Sequence, residues 1–232
     1  MMALKSGIRS LPATMGLLML SAAPALADCD DFPGPGVDWS DCRKRSVVLS
    51  GSNFSGAKLS MVDFIGSDLR KANFQKADLA RALLTRVNGS KSNFSGADFS
   101  KAEGGRATFK QANLTDTDFT KSFLFRTDFR GSNLTNADMT KGEFSRSSFA
   151  DTNLTNVKLV SANIARADFQ GANIEGVDFT RAWTYLTRFE GLDLSRAETI
   201  NQEQLDIACG DASTVVPDGL AVPSDWPCTE TD

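Results

Sequence analysis

The chain has 232 residues, a formal net charge of −4 and no histidine. The missing histidine excludes Ser-His and Cys-His catalysis and removes the commonest metal ligand. The length bounds the mature chain to about one domain.

Residues 1–27 read as a cleaved signal peptide. Lys5 and Arg9 give a positive start, an apolar run from Leu11 to Ala23 comes next, and Ala25-Leu26-Ala27 forms a small-x-small cleavage site. The apolar run is too short to span a bilayer. No twin-arginine pair is present, and Asp28 stands where a lipoprotein cleavage box takes a small neutral residue. The expectation is a periplasmic or secreted protein with no membrane insertion after cleavage.

Residues 28–46 are acidic and turn-rich, with two Pro-Gly pairs at 33–36. They read as an N-terminal cap, with Trp39 laid over Leu49 to cover the first coil of a stacked array.

Residues 47–199 carry a five-residue repeat. An apolar residue returns as Leu49, Phe54, Leu59, Phe64, Leu69, and so on to Phe189 and Leu194, with no insertion or deletion. Only Gly89, Gly104 and Thr184 break the rule. Two positions before each apolar residue the chain is small, one before it is usually Asn or Asp, and two after it is often Lys, Arg or Gly. Each unit therefore points one large and one small side chain inward. This period belongs to neither a flat strand nor a helix, and a short fixed repeat reads as a solenoid.

The units Ala72-Asn73-Phe74, Ala77-Asp78-Leu79, Ala112-Asn113-Leu114 and Ala137-Asp138-Met139 resemble the pentapeptide-repeat family. That resemblance implies an all-β fold, a right-handed quadrilateral β-helix with four pentapeptides per coil, here about 7.5 coils and about 36 Å long at strand spacing. Four-sidedness can be tested in the sequence, because residues 20 apart would then stack. Asn53, Asn73, Asn93, Asn113, Asn133, Asn153 and Asn173 form one unbroken column at that spacing, continued by Asp193. Stacked amides at strand spacing can hydrogen-bond along the column, so these residues read as a structural ladder. The N-x-Ser/Thr sequons at Asn53, Asn88, Asn93, Asn113, Asn133 and Asn153 read as by-products of the repeat.

Residues 200–232 read as a C-terminal helix and tail cap. Asn201 can cap a short helix with Gln204 completing a capping box, Ile200 can staple to Leu205, and Gly210 would end it. The four cysteines all lie outside the repeat, and an even count in an exported chain argues for disulfides. The two ends of a rod are too far apart to bridge. The expected pairs are Cys29–Cys42 and Cys209–Cys228, one for each cap.

Nothing in the chain resembles a catalytic motif, a phosphate loop or a cofactor site. Asp78, Asp98, Asp118 and Asp138 stack on one face, each with Arg81, Lys101, Lys121 or Lys141 three residues on. They read as a charge ladder neutralised by its neighbours rather than an acid–base pair. Another column, Arg86, Arg106, Arg126, Arg146 and Arg166, lies beside those cations and would make one edge of the rod positive. That face also turns Ile65, Leu83, Phe123, Phe125, Trp183 and Tyr185 outward, where other faces carry polar residues.

The expected function is a non-catalytic scaffold or binding module. Its Arg-aromatic face would meet a protein partner, an anionic envelope polymer or a second copy of the chain, with no nucleic acid expected. The family resemblance also implies a rival, a DNA-mimicking protein that protects DNA gyrase. The signal peptide and the absence of strong acidity along the rod oppose it. An envelope hydrolase is a third class, opposed by the missing histidine and the lack of a clustered acid pair.

Overall fold

The computed structural model describes residues 28–228; the expected leader at 1–27 lies outside them. The rod is a stack of coils joined by single parallel bridges, between residues 20 apart from Asp38 to Arg188 except at Asp178. One coil step includes Asn53–Asn73, Lys58–Asp78, Asp63–Leu83 and Asp68–Asn88, giving four sides.

The backbone hydrogen bonds of one unit account for its residue preferences. In 72–76, Ala72 N–H closes a turn onto Leu69 O at 3.2 Å, Asn73 N–H donates to Ser52 O of the coil before at 2.9 Å, and Phe74 and Lys76 N–H donate to Asn93 O and Ser95 O of the coil after, at 2.6 and 2.9 Å. The fifth donor, Gln75 N–H, has no backbone partner. It donates to Asn73 Oδ1 at 3.1 Å. Where an Asn or Asp precedes the core residue, it thus satisfies the one amide that stacking leaves over; where Lys58, Leu83, Thr108 or Arg188 stands there instead, that amide has no such acceptor among the described residues. The fifth residue of each unit turns the corner with a positive φ, at every fifth position from Gly36 to Gly191. Glycine adopts this freely, and the Lys, Arg, Asn and Asp found there instead point their side chains into solvent.

The core is a column of stacked rings and aliphatic chains. Phe54, Phe74 and Phe94 stack at 4.8 Å per step, as do Phe99 and Phe119. All are fully buried, and each such side chain contributes about 1.5–3 kcal/mol. The repeat's exceptions are filled by neighbours. A Cβ on Gly89 would meet Phe109 Cδ1 at 2.8 Å, and one on Gly104 would meet Leu124 Cδ2 at 2.4 Å. Thr184 is buried because its hydroxyl donates to Gln204 O at 2.7 Å, at the closing helix.

The ladder begins earlier than the apolar series at Leu49 indicates, with Asp38 bridged to Lys58. Trp39 does not lie over Leu49. It occupies a core slot in register with Leu59, between Phe54 and Phe64 at 5.3 and 6.5 Å, so the first coil is partly made from the expected cap. Lys44 Nζ sits 4.0 Å over the Trp39 ring and donates to Cys29 O.

At the other end the steps lengthen. Asp178 bridges Thr199, Arg188 bridges Cys209 and Asp193 bridges Val215, so a last, irregular coil accommodates a 3-10 turn over Leu194–Arg196 and helix α1, Gln202–Asp206. The capping box forms, with Gln204 N–H on Asn201 Oδ1 at 3.0 Å and Asn201 N–H on Gln204 Oε1 at 3.1 Å. The helix stops at Asp206, short of Gly210. Gly210 instead gives Trp226 a seat, since a Cβ there would lie 2.3 Å from the ring, and Trp226 Nε1 donates to Ala208 O at 2.7 Å. Both expected disulfides are present, Cys29–Cys42 and Cys209–Cys228, with Cα–Cα distances of 5.5 and 5.4 Å.

Candidate functional site, an aromatic face between two cationic edges

The asparagine column stacks in register from Asn53 to Asn173, but its amides do not form one chain. Asn73, Asn93 and Asn113 each donate to the asparagine one coil back, at 3.1, 3.3 and 3.1 Å. No such bond joins Asn133 to Asn113. The Thr135 hydroxyl donates to Asn133 Oδ1 at 2.7 Å and accepts from Asn153 Nδ2 at 3.1 Å. A threonine beside the ladder thus inserts its hydroxyl as a relay.

The carboxylate column differs more sharply from expectation. Among the described residues, no ion pair joins Asp78, Asp98, Asp118 or Asp138 to Arg81, Lys101, Lys121 or Lys141. Each Asp turns its Oδ1 back to its own strand, accepting from the N–H of Ala80, Ser100, Thr120 and Thr140 at 3.0, 2.7, 2.7 and 2.9 Å. The corner conformation carries the cations outward. They are therefore available to a partner.

The two cationic columns are not on one edge. Both occupy positive-φ corners: Arg81, Lys101, Lys121, Lys141 and Arg181 at one, and Arg86, Arg106, Arg126, Arg146 and Arg166 at the next. The strand positions between these corners form one face, and that face is the one carrying the outward aromatics. Phe123 is 55% exposed, Phe125 44%, Trp183 54% and Tyr185 43%, so the described parts of the caps and tail leave them open to solvent. Ile65 and Leu83 are half-buried.

The aromatic side chains are seated, not loose. A Cβ on Gly105 would fall 2.5 Å from Phe125 Cζ, so the ring lies directly on the glycine backbone one coil back. Trp183 and Tyr185 stand 6.3 Å apart and 21° from parallel, and the Arg166 guanidinium lies 5.8 Å from the Tyr185 ring. Between the two pairs, two coils present half-buried Glu143, Ser145, Asn163 and Ala165. Both Glu143 oxygens are engaged, by Asn163 Nδ2 at 2.8 Å and Ser145 N–H at 3.2 Å.

One feature of the site lies beyond simple sequence patterning. Phe123 and Trp183 stand where the repeat needs its Asn or Asp, so Phe125 and Tyr185 N–H have no acceptor among the described residues. The coils between keep theirs, with Ala165 N–H on Asn163 Oδ1 at 3.0 Å. The signal in the sequence is the substitution of an aromatic for an amide at the residue before the core, and its meaning needs the hydrogen-bond pattern of the coil.

Known proteins share the repeat and the fold. The family model for pentapeptide repeats, eight copies, matches residues 48–86 and 67–103, and the model for a pentapeptide repeat region matches 102–179. No curated protein gives a match. Among solved structures, QnrB1, described as a plasmid-mediated fluoroquinolone resistance protein, is 14% identical with a TM-score of 0.61, covering 77% of this chain and 91% of its own. HetL, a pentapeptide repeat protein involved in heterocyst differentiation regulation in the cyanobacterium Nostoc sp. strain PCC 7120, is 20% identical with a TM-score of 0.49, covering 79% and 86%. At such identity, the likeness to QnrB1 bears on the fold alone.

Proposed function

The chain belongs to the pentapeptide-repeat family, and on that premise we propose that it is a non-catalytic binding module, a right-handed quadrilateral β-helix acting outside the cytoplasm. The observation that carries this reading is the face bearing Phe123, Phe125, Trp183 and Tyr185. These rings are exposed, and two of them occupy positions where the coil would otherwise satisfy a backbone amide. Aromatic rings held half in water on a rigid backbone favour a recognition role for them.

Export through the leader fits two disulfides that close both ends of the rod, since such bonds persist in oxidising compartments. A face edged on both sides by Arg and Lys opposes the DNA-mimic reading, because a surface imitating DNA needs a continuous negative field. The partner is a protein or an anionic envelope polymer.

Cell fractionation followed by cross-linking and mass spectrometry in the native envelope tests this reading. The expected result is an envelope-located chain with cross-links concentrated on Lys101, Lys121 and Lys141, lost when the Arg86–Arg166 column is neutralised. A cytoplasmic chain that alters gyrase supercoiling would overturn it.

A further inference from the structure

The face has an arrangement that narrows the partner's chemistry. Aromatic pairs stand at its two ends, and its middle is low and polar. The coil of Phe123 and Phe125 is three steps from that of Trp183 and Tyr185, so the pairs are about 14 Å apart along the rod at strand spacing. Protein interfaces usually have the reverse plan, with aromatic anchors at the centre and a polar rim that excludes water. A second copy of the chain laid face to face would set cationic columns near cationic columns, which costs affinity.

We propose that this face takes a linear acidic glycan, lying parallel to the rod axis from Phe123 and Phe125 to Trp183 and Tyr185. The proposal rests on reading this face as the binding surface. Ring faces carry the negative side of the aromatic quadrupole, against which the C–H face of a sugar ring packs. The two half-exposed pairs would hold a sugar at each end of the span. The floor between them carries the Ser145 hydroxyl and Glu143, whose two oxygens are engaged by Asn163 Nδ2 and Ser145 N–H, and the N–H groups of Phe125 and Tyr185, without an acceptor among the described residues, lie beside the rings as further donors. Acidic groups along the polymer would meet Lys121, Arg126, Lys141, Arg146, Arg166 and Arg181, which frame the two long edges. Arginine suits carboxylates at such an edge because its planar fork pairs with both oxygens.

The periodicity of the site also fits a polymer. Cations recur at successive corners, from Arg81 to Lys141 on one edge, where Ser161 then precedes Arg181, and from Arg86 to Arg166 on the other, at the same strand spacing that sets the ladder. A chain molecule with an acidic group in each repeat unit can contact several of them at once, gaining from multivalency. The seat of Phe125 on Gly105 and the contact of Arg166 with Tyr185 hold the rings before a ligand arrives, which lowers the ordering cost of binding.

The test uses the mature, disulfide-intact chain and two soluble probes of equal length, a galacturonate hexamer and a neutral cello-hexaose. Calorimetry is run at low and moderate salt, with a galacturonate trimer as the short control. The expected result is saturable one-to-one binding of the acidic hexamer, weakening with salt, with the neutral hexamer and the acidic trimer at least roughly tenfold weaker. The double variant Phe123→Asn/Trp183→Asn should lose at least roughly tenfold in affinity while its thermal midpoint does not fall. Absence of binding to the acidic hexamer, equal binding of trimer and hexamer, or undiminished binding by a folded double variant each overturns the proposal. If the chain proves to be a dimer that the double variant splits, the glycan fails and the face remains a binding surface. If envelope cross-links also avoid the face, the binding reading falls with it.

Discussion

The ring of Phe125 rests on the backbone of Gly105, close enough that a Cβ there would stand 2.5 Å from Phe125 Cζ. One residue earlier, Gly104 bears the same relation to the buried Leu124. The two glycines therefore separate two roles. Gly104→Val should overpack the core and destabilise the fold by about 1–3 kcal/mol, seen as a lower denaturant midpoint. Gly105→Ala should leave the midpoint nearly unchanged, because the ring it displaces is already half in water, and should weaken binding at the face. Equal stability losses from both would show that Phe125 is part of the core.

Phe123→Asn and Trp183→Asn should each restore the acceptor that the coil lacks at those places, for Phe125 and Tyr185 N–H. A recovered hydrogen bond contributes about 0.5–1.5 kcal/mol. Chemical denaturation should then show stability equal to or above that of the parent, together with weaker partner binding. A clear drop in stability for both variants would mean that the aromatics are held for packing.

Asn93 and Asn133 occupy the same column with different bonds. Asn93 accepts from Asn113 and from Ser95 N–H and donates to Asn73, whereas the Asn133 side chain bonds to Thr135 of its own coil. Asn93→Ala should therefore cost about 1 kcal/mol more than Asn133→Ala, the value of the links between coils. Parallel urea titrations would read the difference.

Reduction of Cys209–Cys228 should loosen the C-terminal closure, where Trp226 covers Gly210. A bridge closing a loop of this size contributes about 2–4 kcal/mol. In Cys209→Ser/Cys228→Ser, hydrogen exchange should rise over α1 and the segment to Val215 and stay low from Phe54 to Phe149. Protection lost evenly along the rod would contradict a local staple.

Acid should destabilise the chain through a few carboxylates. The Arg70 side chain holds Asp68 below the usual carboxylate range. Burial pushes Asp178 up, but hydrogen bonds from Thr180 and Thr199 outweigh it and hold it low; the Ser213 hydroxyl does the same for Asp211. A depressed folded value means that the stabilisation is present above the unfolded value, near 4, and is lost as pH falls through the folded one. With no histidine in the chain, the thermal midpoint should be flat between about pH 5 and 8 and fall below about pH 4. A transition near pH 6 would contradict this.

The five-residue register, the twenty-residue coil and the asparagine column are legible in the sequence because each is a one-dimensional period that stacking converts directly into contact. The exposed aromatics are legible too, as apolar residues in polar places. The relation of Asp98 to Lys101 is not, because sequence spacing gives proximity but not direction. The corner's left-handed backbone points Lys101 away, while the Ser100 amide claims the carboxylate. The place of Trp39 is hidden because Lys44 interrupts the apolar series between it and Leu49, although the register continues through both.

By itself the sequence determined the repeat, which residues of a unit turn into the core, and the pairing of its cysteines by end. Those come from periodicity and from the length of a rod. Only the tertiary structure decided that the two cationic columns border one face from opposite corners, that Phe125 rests on Gly105, and that two amides beside the rings go unpaired. Such facts depend on how one coil lies on the next, and no residue carries that information alone.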